Sequence, residues 1–393
     1  MREDKLVFAQ LTEHLPWSEF SRCVRRYHCR HPTKSLSHWS QLLCMLFAQL
    51  TLRSSLRDVI TCLRSQSQKL YRAGFRQPVA RSTLADANER RDFRIFRDFA
   101  LHLIEHARRL YAGDSMGVEF DGAIYAIDSS TVDLCLSLFE WAPASKGRAG
   151  VKLHTLLDLR GNIPTVVDVT GSRTSDLAFL DRLSLEAGSI YIMDRGYMHA
   201  ARLMRFNHSG AFFVVRAVKD LQYRVVQSQP LDEAAAGVLS DQHVLLTGQH
   251  THRDYPIVLR RIDFFDTAND KRLIFLTNQF GLPASHVAQL YKSRWQIELF
   301  FKCIKQHLHI KSFIGTSENA VKIQIWTALS AYVLVAIVKK RMQCTASLHE
   351  MFQVLSLTLF ETTPLSQLLA YRAENSEIAA NAQISLFGTN AGQ

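Results

Sequence analysis

Asp128, Asp194 and Glu298 are the residues whose types and placement speak most directly of chemistry. Asp128 closes the apolar run Ala123 to Ile127 in AIYAIDSS, and Asp194 closes Ile190 to Met193 in SIYIMDRGY. Both runs have strand length, are rich in β-formers and lack the alternation of a half-exposed strand, so they predict buried central strands of a sheet covered on both faces. An Asp that ends a strand is, taken singly, a turn or cap residue. Two such carboxylates emerging from neighbouring strands, with a third from a packed helix, make an oxygen-only cage suited to hard divalent cations. Such a cage serves two-metal phosphoryl chemistry, in which one Mg²⁺ activates the attacking water or hydroxyl and another neutralises the leaving oxygen.

The third carboxylate lies in YKSRWQIELFFKCIK, whose apolar residues recur with helical period. On one continuous helix, Tyr291, Arg294, Glu298 and Lys305 would fall at roughly 0°, 300°, 340° and 320° around the axis. The stripe would hold one carboxylate between two cations and a phenol. Leu290, Ile297, Phe300, Phe301, Ile304 and Leu308 gather at roughly 180° to 280°, a separate face to bury. Alone, Arg294 and Glu298 would also suit an ordinary solvated i,i+4 pair.

The three acidic pieces, in this order, resemble the DDE transposases of bacterial insertion sequences, specifically the family with a Tyr-Arg-Glu-Lys signature. Asp128 in IDSST matches the family's first acidic residue, Asp194 in DRGY its second and Glu298 its third. Tyr291, Arg294 and Lys305 complete the signature Y-x2-R-x3-E-x6-K, and Trp295 agrees with the pattern. The resemblance spans roughly residues 120 to 340, including VKLHTLLD and FFVVRAV. It implies a ribonuclease-H-like α/β fold, two Mg²⁺ or Mn²⁺ ions held by Asp128, Asp194 and Glu298, and cutting and joining of DNA at the element's terminal inverted repeats. It further implies that Arg294 and Lys305 grip phosphates, that Tyr291 hydrogen-bonds a backbone phosphate, and that Trp295 contacts an unpaired base or belongs to the core. Family analogy adds a homodimer that brings two ends together. The other readings are a metal-dependent structure-specific nuclease of the same fold, without strand transfer, and a domesticated DNA-binding protein without activity. The intact acidic triad speaks against the second.

Charge agrees with a DNA partner. The 393 residues carry a formal net charge of +11 and a pI near 9.4. Residues 1–112 hold 20 Lys and Arg against 10 Asp and Glu, a net +10, which leaves +1 for the rest. Arg22, Arg25, Arg26 and Arg30 form one basic cluster, and Arg90, Arg91, Arg94 and Arg97 another that Asp92 and Asp98 partly offset. Residues 1–112 therefore read as an all-α basic domain for recognising transposon-end DNA. One long amphipathic stretch runs from Leu36 to Gln66 and another from Arg81 to Leu110, joined by YRAGFRQPVARS.

Gly113, Asp114, Ser115 and Gly117 mark a boundary into a catalytic domain over 113–343. GVKLHTLLDL and IPTVVDVTG, either side of RGN, suggest an antiparallel hairpin, and a helix from about Asp176 to Glu186 returns the chain to the strand before Asp194. The 104 positions from Asp194 to Glu298 exceed what one helix and one strand can use, and QYRVVQS, HVLLTGQ, YPIVLRRIDFF and KRLIFLTNQF predict a β-rich insertion over 219–280. A long helix follows the signature, and residues 344–393 read as a helical region with a polar tail, a candidate for dimerisation.

The apolar run IWTALSAYVLVAIV is too short to span a bilayer, so no membrane is expected, and no phosphate-cradling glycine loop announces ATP. MREDKLVFAQ is charged and no continuous apolar core follows it, so no signal peptide is expected. Seven scattered cysteines fit a reducing compartment, so a cytoplasmic protein that joins the nucleoid when bound to DNA is expected. Cys23, His28, Cys29 and His31 have weak zinc spacing, and His154 reads as structural because two-metal hydrolysis needs no His base. Asp133, five residues past Asp128, is placed beyond the strand end.

Overall fold

A computed structural model describes residues 5–27, 35–134, 139, 141–142, 149–231, 237–306, 308, 310 and 313–369. Six helices lead the chain: α1 (Val7–Thr12), α2 (Trp17–Arg26), α3 (His38–Leu50), α4 (Leu56–Ser65), α5 (Arg81–Arg90) and α6 (Arg94–Tyr111). Each of the two long stretches expected from periodicity is broken once. Leu52 adopts φ +57 and Ser55 then caps α4 by accepting the Asp58 N–H, so the chain turns between α3 and α4. Between α5 and α6 the corner is held by Asn319, whose amide donates to the carbonyls of Asn88 (2.9 Å) and Arg91 (2.7 Å) and accepts from the Phe93 N–H (3.2 Å).

The remaining elements are β1 (Ile124–Leu134), β2 (Ala149–Asp158), β3 (Ile163–Gly171), α7 (Asp176–Arg182), β4 (Ile190–Met193), α8 (Ala200–His208), β5 (Phe212–Arg216), β6 (Tyr223–Ser228), β7 (Val238–Leu246), α9 (Gln249–Asp254), β8 (Leu259–Asp266) and β9 (Lys271–Thr277). α10 (Ala284–Ser293), α11 (Trp295–Gln306), α12 (Glu318–Arg341), α13 (Leu348–Thr358) and α14 (Leu365–Leu369) complete the described chain. The nine strands form one mixed sheet in the order β3-β2-β1-β4-β5-β9-β8-β7-β6. β1, β4 and β5 are parallel neighbours, β2 is antiparallel to both β1 and β3, and β5 to β9 pair antiparallel. The β strands of 219–280 thus extend the central sheet directly from β5.

Uniformly apolar strands need cover on both faces, and they have it. Ile124, Ala126, Ile190, Ile192 and Val214 face a core shared with α11, α12 and the N-terminal helices. Tyr125, Ile127, Tyr191, Met193, Phe213 and Val215 face a second core with Phe179 of α7 and Leu203 and Phe206 of α8. α12 is apolar all round, which only a helix buried on every side tolerates. It is long and apolar enough to cross a membrane by length and composition, and 94% of its most apolar window is buried inside the protein. The helices of residues 7–111 share their core with α12, and the Tyr111 hydroxyl donates to the Ala336 carbonyl (2.8 Å).

Two expectations about the site elements change. Asp128 does not end β1: the strand continues six residues to Leu134, Asp133 included, because β2 goes on pairing beyond the point where β4 stops. The signature does not lie on one helix either. It is divided between α10 and α11 at Arg294, so Tyr291 belongs to the first helix and Glu298 and Lys305 to the second. α7 ends at Arg182, four residues earlier than expected.

Candidate active site

Strand parity brings the first two carboxylates together. The parallel β1–β4 ladder ends at the pair Ile127–Met193, and Asp128 and Asp194 are the next residues after it on two strands about 5 Å apart. Both alternate with Ala126 and Ile192, and therefore lie on the face covered by α11. Glu298 sits in the first turn of α11, where the helix dipole favours a carboxylate, and α11 lies against β1.

Each carboxylate has a different local partner. Asp128 Oδ1 accepts the Ser129 N–H (2.8 Å), and Asp194 accepts the Gly196 N–H at the start of the 3-10 turn Arg195–Tyr197. Arg294 links the other two: its Nη2 donates to Glu298 Oε1 at 2.5 Å, and its Nη1 stands 3.7 Å from Asp128 Oδ2. Burial pushes the Asp128 carboxyl up to about 6; the Ser129 N–H and Arg294 oppose the rise, and Asp194 and Glu298 add to it. Among the described residues no three His, Cys, Asp or Glu side chains are closed into a metal cage. The positive charge between Asp128 and Glu298 is the guanidinium of Arg294.

The other signature residues divide by environment. Tyr291 is buried, with its ring 4.6 Å from that of Phe275, and burial raises its phenol pKa. Lys305 Nζ donates to the Thr131 carbonyl (2.8 Å), three residues beyond Asp128 on β1. Trp295 is 56% exposed and so lies outside the core.

On the opposite face of β1 lies a polar group that spacing did not reveal. Ser129 Oγ donates to Asp176 Oδ1 (2.5 Å), which also takes Lys152 Nζ (3.2 Å) and lies 3.6 Å from His154 Nδ1. His154 is fully buried, stacked on Phe179 and 3.1 Å from Thr170 Oγ1, a structural setting. Tyr197 of DRGY is 3% exposed, and its hydroxyl has no hydrogen-bond partner among the described residues. The one available signal was parity: the residue next to Asp128 on a strand must point to the other face.

The sequence of the catalytic stretch matches that of known proteins. The profile of the transposase DDE domain covers residues 119–334. The chain belongs to the DDE transposase family. A second profile, a domain of unknown function called DUF4372, covers residues 3–76. A protein of Sinorhizobium fredii named as a transposase is 32% identical to this transposase over 71% of its chain and 77% of the relative. The transposase named for insertion sequence element IS5377 of Geobacillus stearothermophilus is 32% identical over 55% and 57% of the two chains, and that named for IS4SA of Synechocystis 25% identical over 81% and 87%. As a DDE transposase, the protein acts on DNA, which it cuts and joins, with divalent metal ions as cofactors.

The basic clusters of the N-terminal region are largely engaged within the transposase itself. Arg91 is buried and donates to Gln41 and the Leu36 carbonyl. Arg94 is held by Asp92 and lies over the Tyr27 ring, and Arg26 and Arg97 both bind Asp98. Arg22 pairs with Glu19. Arg30, and His28, Cys29 and His31 of the weak zinc spacing, lie outside the described residues, and Cys23 is buried.

Proposed function

We propose that the transposase cuts and rejoins DNA at the terminal inverted repeats of its own insertion sequence, with Asp128, Asp194 and Glu298 holding two Mg²⁺ or Mn²⁺ ions. The observation that carries this reading is that Asp128 and Asp194 directly follow the last pair of the β1–β4 ladder, with the first turn of α11 and its Glu298 packed against β1. The donor set fits hard cations, because it is all oxygen, already holds the charge of Arg294, and has Asp128 raised by burial with Asp194 and Glu298 adding to it. When bound, the ions supply an activated hydroxyl and neutralise the leaving oxygen.

The protein's own groups do the rest. β1 and β4 fix the two aspartates on adjacent strands, and Arg294, whose fork suits a phosphate as well as a carboxylate, passes from Glu298 to a phosphate of the cut end. Lys305 adds a second cation on the same side of β1, and exposed Trp295 stacks on an unpaired base. Tyr291 lines this side from within the core, its hydroxyl the part that reaches DNA. The assignment of Tyr291, Arg294, Glu298 and Lys305 to the Tyr-Arg-Glu-Lys signature rests on their spacing and on their gathering beside Asp128.

A ribonuclease-H-like core is supported by the five-strand unit β3-β2-β1-β4-β5, in which only β2 runs against the others. We assign residues 1–112 to recognition of the element ends, 113–343 to catalysis with 219–280 as a β insertion, and 344–393 to dimerisation in the DNA complex. The protein then works in the bacterial cytoplasm, on the nucleoid. Purified Asp194→Ala and Glu298→Gln proteins should bind a labelled element end yet leave it uncut in Mg²⁺ or Mn²⁺. Undiminished cleavage by either variant removes that residue from the site.

A further inference from the structure

The charge of the N-terminal region is not spread evenly, and the structure separates the cations that are spent from those that are free. Residues 53–81 hold seven Lys and Arg against one acid, Asp58, which is six of the region's ten net charges. α4 buries Val59, Ile60 and Leu63 and turns Arg57, Thr61 and Arg64 outward, so its two arginines share one face about 10 Å apart along the axis. Lys69 and Arg76 follow on the exposed connection, and exposed Arg81 opens α5. Arg57, Arg64, Arg76 and Arg81 make no ion pair among the described residues, in contrast to Arg22, Arg26, Arg94 and Arg97. Tyr71, in their midst, is 81% exposed. Ser67, Gln68, Gln77 and Ser82 are exposed beside them and supply short polar donors to phosphate oxygens.

We propose that the α4-to-α5 surface, centred on Arg57, Arg64, Tyr71, Arg76 and Arg81, is where this transposase grips the sugar-phosphate backbone of duplex DNA. Most of it falls within the domain of unknown function matched over residues 3–76, to which the inference gives a role. Unpaired, solvent-facing arginines on a rigid helix and its following loop bind a polyanion without first breaking an internal bond. The paired arginines of α2 and α6 would have to break one. Tyr71 adds a phenol hydroxyl for a phosphate and a ring to lie against the sugars. Such contacts position the protein and read no base. The inference rests on the assignment of residues 1–112 to DNA and narrows it to one face.

The full chain carrying Arg57→Gln, Arg64→Gln, Arg76→Gln and Arg81→Gln is compared with the parent by fluorescence anisotropy on two labelled duplexes, one an element end and one of scrambled sequence. Both proteins carry Asp194→Ala and are measured without divalent ions, so the result is independent of the catalytic reading. Each phosphate neutralised contributes about 0.9 to the slope of log affinity against log salt, so the slope should fall by about 3.6 on both duplexes. The parent's advantage should then shrink ~150-fold between 50 and 200 mM salt. The four Arg→Lys replacements, which keep the charges, should restore most of the slope and separate charge from misfolding. An unchanged slope, a loss confined to the element-end duplex, or failure of the lysine protein to restore it would each overturn the proposal.

Discussion

Replacing Asp128 by Asn should stabilise the protein at neutral pH while destroying its chemistry. Burial lifts the Asp128 carboxyl to about 6, with Asp194 and Glu298 adding to the rise. An aspartate in an unfolded chain titrates near 3.9, about two units lower, and each unit corresponds to about 1.4 kcal/mol. Because the folded state has the higher pKa, it holds the proton more tightly than the unfolded chain does. Stability is therefore fully present below about pH 4, is lost as the pH rises toward 6, and stays lost above it. The gross loss is about 3 kcal/mol, and screening of the one quarter of the side chain that remains exposed lowers it to about 2 kcal/mol. Asn has the same shape and nothing to ionise, so it escapes the loss. Urea unfolding in a chelating buffer should place Asp128→Asn about 2 kcal/mol above the parent at pH 7.5, and within about 1 kcal/mol of it at pH 4.5. Millimolar Mg²⁺ at pH 7.5 should then raise the midpoint of the parent and leave that of the variant nearly where it was. Equal stabilities at both pH values would refute the burial and crowding argued for Asp128. Equal responses to Mg²⁺ would take Asp128 out of the ion site.

Arg294→Ala or Lys305→Ala should leave first-strand nicking measurable and reduce second-strand cleavage and joining by tenfold or more, followed on labelled ends; Arg294→Lys should not restore them, because a point charge lacks the guanidinium fork. A proportional loss of every step would make these residues general substrate contacts. Trp295→Ala should change stability by less than about 0.5 kcal/mol, since the ring is exposed, and weaken binding of ends with unpaired bases by about 1 to 3 kcal/mol. Tyr291→Ala should instead cost about 3 to 5 kcal/mol of folding stability, because its ring is packed on Phe275. Asn319→Ala, which removes three hydrogen bonds from the α5–α6 corner, should lower the urea stability by about 2 to 3 kcal/mol.

What could be read from the residues and what could not follows from the range of the forces involved. β1 and β4 announce themselves because a strand buried on both faces must be apolar at every position, and the Asp after each run then stands out against it. Leu290, Ile297, Phe300, Phe301, Ile304 and Leu308, chosen by helical angle, are all buried. The continuation of β1 through Asp133 was hidden, because it is sustained by pairing with β2, from Ser129 with His154 to Leu134 with Ala149, and STVDL is not a uniformly apolar run that would show it. The break at Arg294 was hidden for a different reason: apolar spacing continues across it and Arg294 keeps helical dihedrals, so only a local change to i,i+3 hydrogen bonds, Arg294 N–H to the Tyr291 carbonyl and Ile297 N–H to the Arg294 carbonyl, divides α10 from α11. Charge counting was misled in the same way. It found +10 in residues 1–112 but could not tell Arg91, buried against Gln41, from Arg57, which faces solvent without an ionic partner among the described residues. A net charge counts cations, whereas a binding surface depends on which of them the fold has already used. That distinction moves the DNA-facing surface from the runs richest in arginine, 22–30 and 90–97, to the less conspicuous segment between α4 and α5.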